Sequence, residues 1–286
     1  MDLPTTRIRL DIAYDGSAFR GWARQPGLRT VQGHLEAALA TIFHRHPPAP
    51  MLTVAGRTDA GVHALGQVAH LDLTDDQLAS ITRRAGGGSV AALATRINGI
   101  AGLDADVYVR KAALAAAGFD ARFSALSRSY VYRVADSSAP RNPLERRHTL
   151  WYPRELDVSA MDSAARSIAG LHDWAAYCKA REGATTVRTL HQFSWERQSD
   201  GILVARVTAD AFCHGMVRSL VGASIAVGEG KLAADALVGL RDARERTSAF
   251  KVAPAKGLVL TEVRYPQAAE LSIRALQTRA RRDPVE

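Results

Sequence analysis

Residues 56–64 read Gly-Arg-Thr-Asp-Ala-Gly-Val-His-Ala, a nine-residue stretch with two glycines and three ionisable side chains. The segments on either side, 51–54 and 67–73, are short and have the apolar content of strands. Glycines between two strands indicate a turn or a close approach of the backbone. This part of the chain is therefore predicted to form a strand, a glycine-bounded loop and a second strand.

The loop carries Asp59 between Arg57 and His63. An arginine two residues away can keep a carboxylate ionised and aligned by charge attraction, which suits a catalytic carboxylate. His63 has the chemistry of a general base, although a lone histidine in a loop is more often structural. On spacing alone, a capped turn with a surface ion pair fits the same residues, so both interpretations stay open at this point.

Further strands and helices are predicted around the loop. Thr30 suits the cap of a helix with an apolar face, and Asp157 suits the cap of another. The other predicted helices cover 216–227 and 235–244, and the other predicted strands cover 7–14, 106–110, 128–134, 202–208 and 258–265. Strands interspersed with helices in this way predict an α+β fold, with a mixed sheet flanked by helices.

The chain is predicted to divide into two such halves, 1–115 and 116–286. Residues 267–286 contain several arginines and are expected to form a flexible basic tail. The glycines of 86–88 indicate an inserted flexible loop, because the Gly-Lys-Ser/Thr ending of a phosphate-binding loop is missing.

Composition excludes some classes of protein and favours others. The 286 residues include 37 basic and 29 acidic side chains, a net charge of +8, and this excess favours polyanionic partners. No stretch approaches the roughly 20 apolar residues of a membrane span. The first ten residues, MDLPTTRIRL, lack the apolar core of a signal peptide, so a cytoplasmic location is expected.

The two cysteines, Cys178 and Cys213, form neither a Cys-X-X-Cys pair nor a metal-binding cluster with histidine. They are expected to be small buried apolar residues. A structural disulfide is not expected in a reducing compartment.

The 56–64 loop resembles the signature of the tRNA pseudouridine synthase A family, and further segments resemble that family in the same order along the chain. These segments run from about residue 7 to about residue 266 and include Tyr14-Asp15-Gly16-Ser17, Gly21-Trp22, Thr30-Val31-Gln32, Gly66 to His70, Ala121 to Ala125, Arg128 to Tyr132, Gly170 to Asp173, Phe212, Met216-Val217-Arg218, Gly222 and Ala253 to Leu260. The resemblance implies a pseudouridine-synthase fold. Such a fold has two similar α/β halves, a mainly antiparallel sheet and an active-site cleft between the halves.

The resemblance also implies roles for individual residues. Asp59 corresponds to the catalytic aspartate, and Arg218 to a basic residue that pairs with it. An arginine midway along an otherwise apolar helix needs a buried partner, which Asp59 would provide. Three residues are expected to bind the substrate: Arg57, which helps displace the target base, Tyr130, which stacks on the uracil, and Leu258 in the closing strand. Contacts with RNA are expected from Arg128, Arg133 and His63.

The activity implied is that of an isomerase that converts uridine to pseudouridine at positions 38–40 of the tRNA anticodon stem-loop. The resemblance implies no cofactor and no metal, and a homodimer in which one tRNA contacts both subunits. The carboxylate of Asp59 either attacks ribose C1′ or removes the C2′ proton, and the sequence favours neither step.

Three departures from the family pattern affect the expected contacts with RNA more than the chemistry. Ala23 stands where glutamine is common, Asp120 where histidine is common, and residues 102–105 replace a Leu-Pro pair.

Three rival functions are weighed against the isomerase. An inert RNA-binding module would not need Asp59. A nucleoside hydrolase would require a second carboxylate, for which Asp120 and Asp210 are candidates. A redox or nucleotide-dependent enzyme would need glycine-rich phosphate motifs in a setting that this chain lacks.

Overall fold

The structure is a computed structural model that describes residues 4–83, 89–102, 105–179 and 185–279. The chain divides into two compact units. The first unit takes in Met1–Leu126 and Val263–Arg279, and the second takes in Ser127–Glu262. The glycines at 86–88 lie outside the described residues, as do the last seven residues of the predicted tail.

The first unit is an antiparallel sheet with helices. Its elements are β1 (Thr5–Tyr14), α1 (Val31–Ile42), β2 (Thr53–Val54), β3 (His63–Thr74), α2 (Asp75–Thr82), α3 (Ala92–Ala101), β4 (Val107–Leu114) and α7 (Leu271–Arg279). Strand β1 pairs antiparallel with β3 on one side and with β4 on the other, and β2 pairs with β3. The central strand β1 alternates buried and more exposed side chains, because only one of its faces lies on the apolar core.

Local capping explains where the helices of this unit begin. The Thr30 side chain accepts a hydrogen bond from the Gly33 amide, so the predicted cap of α1 is confirmed. Helix α2, which the sequence patterns did not predict, begins with a capping box in which Thr74 and Gln77 satisfy each other's backbone amides.

The second unit combines an antiparallel sheet with three helices in its described part. Its elements are β5 (Ser127–Ala135), β6 (Leu150–Trp151), α4 (Val158–Ser167), β7 (Gly170–Asp173), β8 (Val187–Arg197), β9 (Leu203–Ala209), α5 (Met216–Gly228), α6 (Ala236–Ala243) and β10 (Leu258–Arg264). Strands β5, β9, β8 and β7 lie side by side and pair antiparallel, β10 lies on the other side of β5, and the short β6 runs parallel to β5. The predicted α+β fold with mainly antiparallel strands is confirmed.

The predicted division of the chain after residue 115 differs from the observed one. The boundary falls between Leu126 and Ser127, and the segment Val263–Arg279 returns to the first unit. The segment before the boundary belongs to the first unit because Tyr265 donates a hydrogen bond to the Ala121 carbonyl at 2.7 Å and Phe119 packs against the Tyr265 ring.

Residues 267–279 do not form the predicted flexible tail. They include α7, whose Leu271 and Ala275, four positions apart, are buried on one helical face. The Ser124 hydroxyl donates to the Leu271 carbonyl at 3.1 Å, and Arg279 lies 3.3 Å from Asp120. Buried apolar side chains and these polar contacts hold the segment against the first unit.

The structure places Cys178 and Cys213 side by side and pairs them as a disulfide, with Cα atoms 5.7 Å apart, whereas two separate thiols were expected. The two segments meet because the Lys179 amide donates to the His214 carbonyl at 2.9 Å. The two cysteines are 35 positions apart in the sequence, so no local pattern indicated that they lie close together.

A buried carboxylate holds the segment that follows β5. The Asp136 side chain is fully buried and accepts hydrogen bonds from both terminal nitrogens of Arg197, at 3.0 and 2.7 Å. It also accepts from the Ser138 hydroxyl and from the Leu156 amide. Burial by itself raises the pKa of Asp136, but these hydrogen bonds outweigh burial and lower the pKa from 3.8 to about 2.

Replacing this carboxylate tests its contribution to stability. Asp136→Asn is expected to lower the free energy of unfolding at pH 7 by about 2–4 kcal/mol, because Arg197 loses its buried anion. The lowered pKa means that the ionised carboxylate stabilises the fold above about pH 4, and that this contribution is lost as the pH falls towards 2. The difference in stability between wild type and variant, measured by denaturant unfolding, is therefore expected to shrink between pH 4 and pH 2.

The matched control is Asp235→Asn in the same unit. Asp235 is exposed and makes no side-chain capping bond to α6, so its replacement is expected to change stability by less than about 0.5 kcal/mol. Equal effects of the two substitutions would contradict the role given to Asp136.

Candidate active site

The 56–64 loop is fastened to the segment that follows β1 by backbone hydrogen bonds. The Trp22 amide donates to the Thr58 carbonyl at 3.0 Å, and the Gly61 amide donates to the Phe19 carbonyl at 3.2 Å. Both partners lie in the predicted Tyr14 to Trp22 companion segment, which explains why the two motifs occur together.

Two glycines allow this close approach. A Cβ atom on Gly16 would lie 2.0 Å from the Val62 carbonyl oxygen, and a Cβ on Gly21 would lie 2.9 Å from the Thr58 carbonyl oxygen. Gly21 also has φ of +96°, a conformation that other residues rarely adopt. Glycine at both positions is therefore required by the position of the loop.

Asp59 begins a tight turn within the loop. Its carbonyl accepts a hydrogen bond from the Val62 amide at 3.2 Å, and Gly61 inside the turn has φ of +79°. Asp59 is half-buried and Arg57 is exposed. The turn that spacing alone predicted is therefore present, and it supports the carboxylate rather than excluding a catalytic role.

A buried polar network lies beneath the loop. The Tyr14 and Thr58 hydroxyl groups are 2.7 Å apart, and the Gln67 side-chain amide donates to the Tyr14 oxygen at 3.2 Å and to the Gly56 carbonyl at 2.9 Å. Tyr14, Thr58 and Gln67 are each less than one-tenth exposed. Burial raises the pKa of Tyr14 to about 12, even though its hydrogen bonds with Thr58 and Gln67 act in the opposite direction, so the phenol is neutral at physiological pH.

His63, expected to contact RNA, is buried at the start of β3 and only 5% exposed. Its Nδ1 lies 3.1 Å from both the Gly16 amide nitrogen and an Asp15 carboxylate oxygen. The ring thus lies against both the backbone of Gly16 and the Asp15 carboxylate. This placement gives His63 a structural role in fixing the Gly16 turn, and its burial argues against direct contact with RNA.

Tyr130 lies in β5 of the second unit, on the same face as Tyr132 and Val134, as the alternating pattern predicted. Its ring makes an edge-to-face contact with Phe212, with centroids 5.2 Å apart. Tyr130 is half-buried, whereas Tyr132 is fully buried and donates to the Pro254 carbonyl. The Phe212 contact sets the orientation of the Tyr130 ring.

Arg128 and Arg133, the other expected RNA contacts, make contacts within the protein. Arg128 is 9% exposed and donates to the Asp210 carbonyl at 2.6 Å. Arg133 lies 3.3 Å from Glu145 and donates to Thr149. These contacts fix the segments beside β5, so neither side chain is a simple surface cation.

Arg218 occupies the first turn of α5, and the structure links it to the segment before β10. Its Nε donates to the Ala253 carbonyl at 2.7 Å, and the Ala253 amide donates to the Arg218 carbonyl at 3.0 Å. Gly222 lies one turn further along α5. A Cβ atom at this position would lie 2.0 Å from the Lys251 carbonyl oxygen, so only glycine allows the two segments to approach this closely. The predicted companions Arg218, Gly222 and the Ala253 segment are thus brought together, and Leu258 and Leu260 of β10 are buried.

A pair of cations over the Trp151 ring in the second unit was not predicted from the sequence. The Arg141 guanidinium and the Lys256 ammonium group lie 5.5 and 5.6 Å from the Trp151 ring centroid. Both cations are exposed, as are Arg146 and Arg147 of the same connecting segment. The sequence signal was the run of arginines between β5 and β6, but only the tertiary structure brings Lys256 to it.

Comparisons with known proteins identify the class of protein that these features define. Residues 164–266 match the family described as tRNA pseudouridine synthase. A tRNA pseudouridine synthase A from Leifsonia xyli is 62% identical over 97% of this chain and 98% of its own length. Those from Frankia casuarinae and Streptomyces griseus are 53% and 49% identical over 97% and 96% of this chain, and 96% and 93% of their own lengths.

The chain belongs to the tRNA pseudouridine synthase A family, as the resemblance of its motifs indicated. A solved structure described as a Cbf5-Nop10-Gar1 complex is also similar, with 10% identity and a TM-score of 0.30 over 77% of this chain and 54% of that chain. Within the described ranges, every helix is too short or too polar to cross a membrane.

The close approach at Gly16 can be tested directly. Gly16→Ala is expected to lower the free energy of unfolding by about 1–3 kcal/mol, because the new methyl group overlaps the Val62 carbonyl. Gly99→Ala is the matched control, since Gly99 is exposed inside α3 with no atom within 4 Å of the added methyl. This second change is expected to stabilise the protein by about 0.5–1 kcal/mol through higher helix propensity. Thermal and denaturant unfolding of both variants measures the contrast, and a Gly16→Ala protein as stable as wild type would refute the close packing.

Proposed function

We propose that this chain is an isomerase that converts uridine to pseudouridine in tRNA. The observation that carries the proposal is near-full-length identity of up to 62% to tRNA pseudouridine synthases A, combined with an intact 56–64 loop around Asp59. In more detail, we propose uridines 38–40 of the anticodon stem-loop as the targets, as the resemblance implies.

The proposed reaction breaks the bond between uracil N1 and ribose C1′, turns the base and joins C5 to C1′. The hydrogen on C5 is lost to solvent and N1 gains a proton, so no atom or electron is needed from another substrate. In the proposal, the Asp59 carboxylate either forms a covalent bond to C1′ or takes the C2′ proton. Both steps require an ionised carboxylate, and the proposal assigns Arg218 as the cation that favours this form.

The target base must leave its stack before it can react, which costs a few kcal/mol. We assign Tyr130 as the ring on which the displaced uracil stacks, a contact that contributes about 1–3 kcal/mol in other proteins. The edge-on contact with Phe212 supports this assignment, because it holds the ring in one orientation. Arg57 is assigned to the space that the base leaves, in keeping with its exposure, and Leu258 to the wall of the pocket.

The proposal changes the residues expected to contact RNA. Arg128 and Arg133 already bind protein groups, and we assign them to shaping the site beside Tyr130. Contact with phosphates is instead assigned to exposed cations of the second unit. These are Arg141 and Lys256, which lie over the Trp151 ring, and Arg146 and Arg147 of the segment between β5 and β6. Recognition of the RNA should then depend on backbone shape and charge more than on base sequence.

The proposal includes a homodimer, in which one tRNA contacts both subunits, and a cytoplasmic location, where tRNA is available. Both rest on the family resemblance. Equilibrium sedimentation with and without tRNA measures the first, and fractionation of cells the second.

The activity and the role of Asp59 are tested together with tRNA labelled with tritium at uracil C5. The wild-type protein is expected to release tritium, and Asp59→Asn is expected to lower the rate by at least about 10⁴-fold, because the neutral amide can neither attack C1′ nor accept the C2′ proton. Binding of tRNA by the variant is expected to remain within threefold of wild type, measured by filter binding. Mapping of the modified positions tests the 38–40 assignment.

The rival functions give different results in the same experiment. A wild-type protein that binds tRNA without releasing tritium would favour an inert RNA-binding module. Free uracil as a product would favour a nucleoside hydrolase, and Asp120→Asn and Asp210→Asn would then be the variants to compare.

The pair of cations over the Trp151 ring predicts a separate effect on tRNA affinity. The double variant Arg141→Gln, Lys256→Gln is expected to raise KM for tRNA about five- to tenfold and to leave kcat unchanged, because lost phosphate contacts weaken binding uniformly. The slope of log Kd against log salt concentration should decrease by about one to two, because about one to two fewer phosphates are neutralised. Arg166→Gln is the control, since Arg166 is an exposed arginine of α4 that pairs with Asp162. An equal rise in KM in the control would show a general effect of net charge and contradict the assignment.

A further inference from the structure

The Gln67, Tyr14 and Thr58 side chains form a chain of hydrogen bonds that ends at the residue before Asp59. The Gln67 side-chain nitrogen can only donate, so the Tyr14 oxygen accepts from it. The Tyr14 hydroxyl is also hydrogen-bonded to the Thr58 hydroxyl, 2.7 Å away, and either group can donate. Tyr14 therefore links Gln67 of β3 to Thr58 of the loop.

The two ends of this chain differ in rigidity. Gln67 lies in β3 opposite Ile12 of β1, and Tyr14 is the last residue of β1. The Gln67 side-chain oxygen Oε1 is also held, because it accepts from the Val68 amide at 3.2 Å. Gln67 and Tyr14 are thus fixed by paired strands, whereas Thr58 belongs to the loop between β2 and β3.

Thr58 is held at two places, directly before Asp59. Its hydroxyl is hydrogen-bonded to that of Tyr14, and its carbonyl accepts from the Trp22 amide at 3.0 Å. The Asp59 carbonyl is held in turn by the Val62 amide. These contacts restrain the backbone on both sides of the Asp59 Cα atom, from which the carboxylate side chain extends.

We propose that Tyr14 and Thr58 are positioning residues, which hold the Asp59 carboxylate in place for the reaction through the bond between their hydroxyl groups. Neither is assigned contact with the RNA, since both are less than one-tenth exposed. The inference rests on the proposed function, because it requires Asp59 to be the catalytic carboxylate. Small errors in the position of a catalytic group cost large factors in rate, so loss of the bond lowers the rate of the chemical step.

Two substitutions remove the bond with little change in shape. Thr58→Val replaces the hydroxyl by a methyl group, and Tyr14→Phe removes only the phenolic oxygen. Each is expected to lower the rate constant of tritium release at least tenfold. The rate is measured in a single turnover with protein in excess over tRNA, so that an inactive fraction of protein does not change it. Affinity for tRNA is expected to remain within twofold, because these side chains are buried.

Two further variants separate positioning from general stability. Thr58→Ser keeps a hydroxyl that can accept the Tyr14 bond, and its rate is expected within threefold of wild type. Tyr177→Phe is the control for Tyr14→Phe, since Tyr177 is a fully buried tyrosine whose hydroxyl donates to the Leu237 carbonyl in the second unit. It is expected to lower the melting temperature without lowering the single-turnover rate more than twofold.

The double variant Tyr14→Phe, Thr58→Val tests whether the two residues act through one bond. If they do, its rate is close to that of the slower single variant, because the bond is already lost. The proposal would be overturned if the fold-losses in rate of the two single variants multiplied in the double variant. It would also be overturned if Thr58→Ser were as slow as Thr58→Val, or if the single variants were as fast as wild type. If Thr58→Val does not fold, the single-turnover rates of Tyr14→Phe and Tyr177→Phe are compared instead. The proposal then requires the Tyr14→Phe protein to be the slower of the two.

The outcome for Asp59→Asn distinguishes failure of the proposed function from failure of the positioning role. An active Asp59→Asn protein overturns the catalytic role of Asp59, and with it this inference. An inactive Asp59→Asn protein beside Tyr14→Phe and Thr58→Val proteins with wild-type rates overturns the positioning role alone.

Discussion

The backbone of the 56–64 loop lies against the segment that follows β1 so closely that no side chain fits between them. At Gly16 a single methyl group would overlap the Val62 carbonyl, and at Gly21 the Thr58 carbonyl occupies the same kind of space. Backbone packed against backbone cannot yield as a flexible side chain does. The position of Asp59 therefore depends on the first strand and its turn as much as on the loop that carries it.

Close packing of backbone requires that buried polar groups find partners within the protein. The loop meets this requirement through Trp22 and Gly61 on the backbone and through the side chains of Tyr14 and Gln67 below it. The second unit uses the same physical device away from the site, where Asp136 collects donors from Arg197, Ser138 and Leu156. In both places a buried polar side chain fixes a segment that has no regular secondary structure of its own.

Much of the fold could be predicted from local patterns. The strand at 7–14, the Thr30 cap and the helix at 216–227 are all present, because period-two alternation, a capping side chain and an apolar run with a final glycine act over a few residues. Helices α2 and α3 and strand β8 were among the elements missed. Helix α2 has a weak apolar face, and β8 mixes buried and exposed residues without strict alternation. The boundary after Leu126 and the docking of α7 were missed because both depend on contacts between residues more than 100 positions apart.

The sequence by itself determined the family, the candidate catalytic carboxylate and most of its companions, because these are carried by side-chain identity in short ordered motifs. Only the tertiary structure decided what the companions do. It buried His63, bound Arg128 and Arg133 to protein groups, and set Tyr14 and Gln67 beneath Thr58. The reason is physical: exposure and hydrogen-bond partners are properties of residues brought together from distant parts of the chain, and no local pattern encodes them.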